Sequence, residues 1–344
     1  MEYRLLGRTG IEVSALGLGC LNYGSTTDQT ESLATIGAAL EAGINFFDTA
    51  NGYGGGSSEE TLGKALRELG ARNRSVVATK FHASMHPDDR NAGGTSRRAV
   101  VESCEDSLRR LNTDWIDLYQ MHRPATTTPI DETLRALDDL IRAGKVRYIG
   151  SSTLSAWRMV EAAHVAASTG THRFVSEQPP YNLLDRTLEN ELIPAAISYD
   201  MALIPWSPLA NGMLTGKYRR GATAPTGTRF ADRGQTDHFS EGVYGCVEAL
   251  ESIAVSHGLP LSRLALGWCA RQPGITSAII GPRNRQQLAD NVAALDVTLG
   301  AELLAQIDEV APPGHATHSY YGPHRADWRP DGWHVPHQAE PIQM

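Results

Sequence analysis

The stretch Phe46-Phe47-Asp48-Thr49-Ala50-Asn51-Gly52-Tyr53-Gly54 carries an apolar run into a carboxylate and then into a glycine turn that presents a phenol. The same kind of ending recurs downstream. Lys80 closes the run Ser75-Val76-Val77-Ala78-Thr79-Lys80, and His122 closes Trp115-Ile116-Asp117-Leu118-Tyr119-Gln120-Met121-His122. Between such runs, apolar residues recur at three-and-four spacing. Examples are Leu62, Ala65, Leu66 and Leu69 after a capping box Ser57-x-x-Glu60, and Leu134, Leu137, Leu140 and Ile141. That spacing predicts helices, and strands alternating with helices imply a parallel sheet.

Working outward, strand-like runs fall at 44–49, 75–80, 115–122, 146–151, 174–178, 202–206 and 277–281. The residues Asp48, Lys80, His122, Ser151, Gln178 and Trp206 at their ends are separated by 32, 42, 29, 27 and 28 positions, a nearly constant strand-helix unit. An earlier strand at 15–19, with a helix over 31–41, and a last strand at Ile279-Ile280 make eight. The class is therefore α/β, and the expected fold is a closed (β/α)8 TIM barrel, whose chemistry lies at the C-terminal ends of the strands. The 3–6 and 11–13 segments around Gly7-Arg8-Thr9-Gly10 read as an N-terminal β-hairpin plugging the barrel bottom. The 75 positions from Trp206 to Gly281 hold a long loop after strand 7, at 211–242, and extra helices over 243–257 and 261–271. A loop of that length is usually functional. No linker divides the chain, so residues 1–344 read as one barrel domain.

The 344 residues are 41% apolar and 20% charged, enough for a sizeable core, and a net charge of −8 argues against general affinity for nucleic acid. No run approaches the roughly 18 apolar residues of a membrane span, and no signal segment opens the chain. A cytoplasmic protein acting on a small molecule is expected, with homo-oligomerisation left open. Cys20, Cys104, Cys246 and Cys269 lie far apart, which suits buried free thiols.

A tyrosine hydroxyl titrates near ~10 in water, so a phenol that gives up a proton at neutral pH needs a cation nearby. A buried cation in turn needs a carboxylate. Asp48, Tyr53, Lys80 and His122 supply such a set. Each alone is more often structural, but a barrel would bring all four to one mouth. There Lys80 would lower the Tyr53 pKa, Asp48 would pair Lys80, and His122 would orient a carbonyl oxygen or relay the proton. Gly52-x-Gly54-x-x-Ser57 lacks the third glycine of a dinucleotide fingerprint, and a turn that aims Tyr53 explains it better. Gly281-Pro282-Arg283-Asn284-Arg285-x-Gln287-x-x-x-Asn291 leads the last strand into a helix, where free N–H groups and arginines favour an anion, Arg283 ahead of Arg285. Trp206, just before Ser207-Pro208-Leu209, is a core residue or a flat ring for a flat cofactor. The tail 312–344 holds five of the twelve histidines. His315-x-x-His318 has no thiol or carboxylate cluster beside it, so no metal is expected, and the tail reads as a flap near the mouth.

On these motifs the chain resembles the aldo-keto reductase superfamily over nearly its whole length, from Tyr3-Arg4-Leu5-Leu6-Gly7-Arg8-Thr9-Gly10 to about Pro313. Ser176-Glu177-Gln178-Pro179-Pro180-Tyr181-Asn182-Leu183 and Ile204-Pro205-Trp206-Ser207-Pro208-Leu209 place it nearer the long-loop bacterial and potassium-channel-beta-like branches. The resemblance implies that Asp48, Tyr53, Lys80 and His122 are the family's catalytic tetrad and that NADPH binds extended over the mouth. By the same matching Ser152 and Gln178 would hold the nicotinamide carboxamide and Trp206 would stack on the ring. Ser207, Leu209, Gly212 and Lys217 would line the pyrophosphate path. Gly281 opens the segment in which Arg283, Gln287 and Asn291 would take the 2′-phosphate and adenine. Thr153 stands where the family usually has an asparagine that also contacts the carboxamide. The implied reaction is reduction of an aldehyde or ketone by NADPH, with Tyr53 the proton donor. The alternatives are reduction of a carbon–carbon double bond in a sugar nucleotide and a cofactor-binding regulatory subunit.

Overall fold

The computed structural model describes residues 1–320 other than 87, 126 and 233–238, so most of the expected tail flap, 321–344, lies outside the described residues. A hairpin of β1 (Tyr3–Leu5) and β2 (Glu12–Ser14) opens the chain, with Tyr3 opposite Ser14. The parallel strands are β3 (Leu16–Gly19), β4 (Phe46–Asp48), β5 (Val76–Phe81), β6 (Ile116–Met121), β7 (Val146–Ser152), β8 (Ser176–Gln178), β9 (Ala202–Leu203) and β10 (Ala278–Ile280). They form an 8-stranded sheet in the order β10-β3-β4-β5-β6-β7-β8-β9. The two ends meet. Leu203 bridges Ile275, and the Ile279 N–H donates to the Pro205 carbonyl at 2.8 Å, so the sheet closes into the expected (β/α)8 barrel.

The helices alternate with the strands as the spacing predicts: α1 (Gln29–Glu41), α2 (Ser57–Glu68), α3 (Arg97–Leu111), α4 (Ile130–Arg142), α5 (Ala156–Thr169) and α6 (Leu192–Ser198). After β9 come a short helix α7 (Arg229–Asp232) in the long loop and the extra helix α8 (Glu241–Ser256), then α9 (Leu261–Ala270). Past β10 lie α10 (Arg285–Val292) and α11 (Ala301–Val310). The capping box at the start of α2 is absent. Gly56, in the left-handed region at φ 100°, caps that helix without any side-chain bond, because the Tyr53–Gly56 turn runs straight into Ser57. Leu69, expected on the buried face, falls past the end of α2 and is 37% exposed.

Because side chains alternate along a strand, each strand divides its residues between two cores. Leu18, Phe47, Val77, Tyr119 and Ile149 face the helices and join the outer core. Phe46, Ala78, Leu118, Ala202, Ile204 and Ile279 fill the barrel interior, where Leu6 and Val13 of the hairpin cap them from below, as the plug reading expects. Gly17 belongs to this inner layer. A Cβ there would sit 2.7 Å from both the Phe46 and Ile279 rim carbons, so glycine makes room for the bulky pair. All four cysteines are buried and free. Among the described residues no helix is long and apolar enough to cross a membrane.

Candidate active site

One step above Phe46, Ala78 and Leu118 along the same inward faces come Asp48, Lys80 and Gln120. The register pairs Asp48 with Ala78 and Lys80 with Gln120. The Lys80 side chain has no solvent exposure, and its Nζ donates to Asp48 Oδ1 at 2.5 Å and to the Thr49 carbonyl at 2.8 Å. Two amides hold the other carboxylate oxygen. Gln120 Nε2 donates to Asp48 Oδ2 at 3.0 Å and Gln178 Nε2 at 2.8 Å. Burial opposes the charge on Lys80, but the Asp48 carboxylate, the Tyr53 phenol and the hydrogen bonds to both outweigh it and raise the Lys80 pKa. The ammonium is fixed in its charged form.

Tyr53 starts the turn Tyr53–Gly56, in which Gly54 and Gly55 take φ of 57° and 64°, values that favour glycine. The turn lays the phenol ring against the site. Lys80 Nζ lies 5.1 Å from the Tyr53 ring centroid, and the His122 ring meets it edge-on at 5.6 Å. Burial first, and then the positive charges of Lys80, Arg123 and His82, hold the His122 pKa well below the usual imidazole value. His122 is therefore neutral at physiological pH and can donate one ring N–H. The four residues read at or just after the ends of three strands thus converge, as the barrel expectation required.

Of the residues expected at the cofactor, Gln178 joins this cluster directly through Asp48. Ser152 Oγ donates to the Gln178 carbonyl at 2.9 Å, and the Gln178 amide nitrogen is committed to Asp48, which leaves its side-chain oxygen as the atom it can offer. Thr153 is buried at φ 64°, with its hydroxyl on the Ser152 carbonyl at 2.6 Å. Trp206, half-buried, packs edge-to-face on Tyr320 at 5.2 Å. Asp185 anchors the described start of the tail through a bridge to Ala316 and a bond from the Tyr320 N–H at 2.8 Å. His315 bonds the Pro313 carbonyl, while His318 packs on Phe239 and Tyr320, so the two histidines serve different contacts.

Past Trp206 the backbone turns through Ser207, Ala210, Asn211 and Gly212, all at positive φ. Ser207 Oγ donates to Asn211 Oδ1 at 3.0 Å, and the Leu209 carbonyl accepts from the Gly212 N–H at 2.8 Å. Close approach by Lys217 explains Gly212, where a Cβ would lie 2.9 Å from Lys217 Nζ. The cations here crowd together. Burial, then the positive charges of Arg283 and Arg229, lower the Lys217 pKa. Arg229 donates to Asn211, and Arg283 donates to the Gly227 carbonyl at 2.6 Å, tying the long loop to the start of α10. Gln287 Oε1 accepts from the Arg283 N–H at 2.8 Å, Asn284 caps the helix, and Asn291 is half-exposed on α10. Gly281 is exposed, with its carbonyl 3.3 Å from Asn22 Nδ2. Lys217, whose charge the two neighbouring arginines disfavour beside a loop of left-handed residues, fits a dinucleotide's phosphates, since an anion would relieve the repulsion.

A family model for the aldo/keto reductase family matches residues 15–312. The chain belongs to the aldo/keto reductase family. Its relatives include a probable voltage-gated potassium channel subunit beta of Oryza sativa subsp. japonica, 39% identical, with 90% of this chain and 96% of that protein aligned. The uncharacterized oxidoreductase YrpG of Bacillus subtilis is 38% identical, with 93% and 99% aligned. The versiconal hemiacetal acetate reductase of Aspergillus parasiticus is 34% identical, with 91% and 98% aligned. As an aldo/keto reductase the chain has a general oxidoreductase function.

Two residues of the aldo/keto reductase site escaped the sequence reading. Gln120 holds Asp48, and its position two residues before His122 on the same strand face was the available signal. Glu177 is fully buried on the opposite face from Gln178. Its carboxyl accepts from Ser151 Oγ at 2.6 Å and from the Leu154 N–H at 2.9 Å, bracing the turn that carries Ser152 and Thr153. Burial pushes its pKa up to about 8 against those bonds.

Proposed function

We propose that this aldo/keto reductase is a cytoplasmic, NADPH-dependent carbonyl reductase that converts a small aldehyde or ketone to the alcohol. The observation that carries the reading is the buried Lys80 ammonium, held by Asp48 and set against Tyr53, with the neutral His122 ring packed edge-on against the same phenol. When bound, the reduced nicotinamide supplies the hydride. Tyr53 gives its hydroxyl proton to the carbonyl oxygen as negative charge develops there. Lys80 stabilises the phenolate left behind, and Asp48 keeps Lys80 charged and in place. His122 donates an N–H to the same oxygen, a contribution of the kind worth roughly 2.7–4 kcal/mol per donor in other enzymes. Ser152 and Gln178 hold the carboxamide, Trp206 the ring, Ser207, Leu209, Gly212 and Lys217 the pyrophosphate, and Arg283, Gln287 and Asn291 the adenosine end.

Turnover of a panel of aldehydes and ketones, followed by loss of reduced-nicotinamide absorbance, tests the proposal. Reduction with NADPH preferred over NADH is expected. Absence of turnover across the panel, together with tight NADPH binding, would favour a second reading. That reading is a cofactor-binding regulatory subunit, to which the name of the rice relative points.

A further inference from the structure

Beside the Tyr53 turn a cavity of about 370 Å³ opens between the segment after β5, which brings His82, Arg90, Asn91, Thr95 and Ser96, and the segment after β6, which brings Pro124. Both segments leave strands that end at the candidate site. Asn51 Nδ2 donates to the Ala83 carbonyl at 3.0 Å, and a Cβ on Gly52 would meet the Ala83 methyl at 2.8 Å, so the segment that runs on from the cavity-lining His82 packs against the turn that holds Tyr53. The opposite wall continues from His122 through Arg123 to Pro124. A substrate whose carbonyl lies at Tyr53 and His122 therefore has this space for its far end.

The cavity's chemistry is one-sided. Among the described residues, none of those lining it carries a carboxylate. Arg97 pairs with Asp139, and Arg98 with Asp89 and Glu102, whereas Arg90 forms no ion pair among the described residues. α3 begins at the wall with Ser96 as its cap, has no acidic residue in its first turn, and starts on two arginines. The Ser96 hydroxyl satisfies Ala99 N–H, and the amides of Arg97 and Arg98 precede the first intrahelical bond. Thr95, only 1% exposed, has a buried hydroxyl with no partner among the described residues. An uncompensated guanidinium, a positive helix end and an orphaned hydroxyl together describe a place for an anion.

Resting on the carbonyl-reductase reading, we infer that the substrate carries an anionic group, a carboxylate or a phosphate, away from its carbonyl, and that this cavity takes it. Arg90 is the counter-ion, and the Thr95 hydroxyl and the start of α3 are the other donors. The volume lies within the range of ligand sites, about 300–1,000 Å³.

The test compares paired substrates in the full-length protein with NADPH: succinic semialdehyde against its methyl ester, and glyceraldehyde 3-phosphate against glyceraldehyde. The charged member of at least one pair should have the higher kcat/KM, by about tenfold or more, chiefly through KM, as a charge-assisted contact gives. Whichever pair shows it names the anion. Arg90→Gln should collapse that ratio towards one, and Arg90→Lys should keep part of it. Equal kcat/KM within both pairs, or ratios unchanged in Arg90→Gln, would overturn the inference while leaving carbonyl reduction standing. Calorimetry of glutarate and inorganic phosphate binding to the NADPH complex carries the test if turnover fails. Binding of either that weakens about tenfold in Arg90→Gln supports the cavity, and no binding of either overturns it.

Discussion

Thr153 is a β-branched residue held at φ 64°, a region that costs an L-residue roughly 1–2 kcal/mol and that asparagine enters more readily. Its hydroxyl bonds the Ser152 carbonyl and lies 3.3 Å from Arg123 Nη1, contacts that an amide side chain can also make. Thr153→Asn should therefore stabilise the protein by about 1 kcal/mol, read as a higher urea midpoint at unchanged slope. A lower midpoint would show that the Thr153 packing outweighs its backbone strain. At this scale the sequence showed the ionisable residues clearly, because an Asp, Lys or His at the end of an apolar run breaks the pattern. Gln120 breaks it less, and no local residue signals that Asp48, 72 positions earlier, will accept its amide hydrogen.

Arg283 joins two elements, the start of α10 and the long loop, through the Gly227 carbonyl, and it lies close enough to Lys217 to depress its charge. If it also reads the 2′-phosphate, Arg283→Ala should weaken NADPH by about tenfold to a hundredfold, the range of a charge-assisted bond, and leave NADH nearly unaffected. Dissociation constants from quenching of tryptophan fluorescence decide between this and equal losses for both cofactors, which would mean that Arg283 only ties down the loop. The strands and helices were legible from periodicity, but their lengths were not. The run 44–49 yields only Phe46–Asp48 as strand, because Thr49 and Asn51 leave the ladder while their N–H groups still reach the Ala78 and Lys80 carbonyls. The α2 capping box failed for a similar reason. Three glycines at positive φ set the helix start, and the Ser57 hydroxyl makes no capping bond.

Across the whole molecule, two buried groups give opposite pH dependences. His122 has a folded pKa far below its unfolded value, so as pH falls through about 6.5 the unfolded chain gains a proton that the native state refuses, and stability drops. Glu177 is raised from 4.5 to about 8, so the native state keeps a proton that the unfolded chain has released, and stability falls as pH rises across that window. Between about 4.5 and 6.5 the two slopes oppose each other. Thermal denaturation across pH should show a shallow acid limb in His122→Gln. Glu177→Gln should flatten the alkaline limb, with a gain on the order of a few kcal/mol near about pH 9. Limbs unchanged in both variants would mean that neither group titrates as its burial dictates. The closed barrel itself followed from the constant spacing of strand ends, and it brings Asp48, Tyr53, Lys80 and His122 together from over 70 residues of chain.

The central claim is that this assembly exists to let Tyr53 deliver a proton. Tyr53→Phe removes the hydroxyl and keeps the ring that packs on His122. Single-turnover reduction of an aldehyde by the NADPH complex, measured beside the NADPH dissociation constant, tests it most directly. Turnover should fall by about a hundredfold or more, a loss of roughly 2.7 kcal/mol in barrier stabilisation, with cofactor affinity preserved. Turnover retained within about tenfold, roughly 1.4 kcal/mol, would contradict the assignment of Tyr53 as the proton donor.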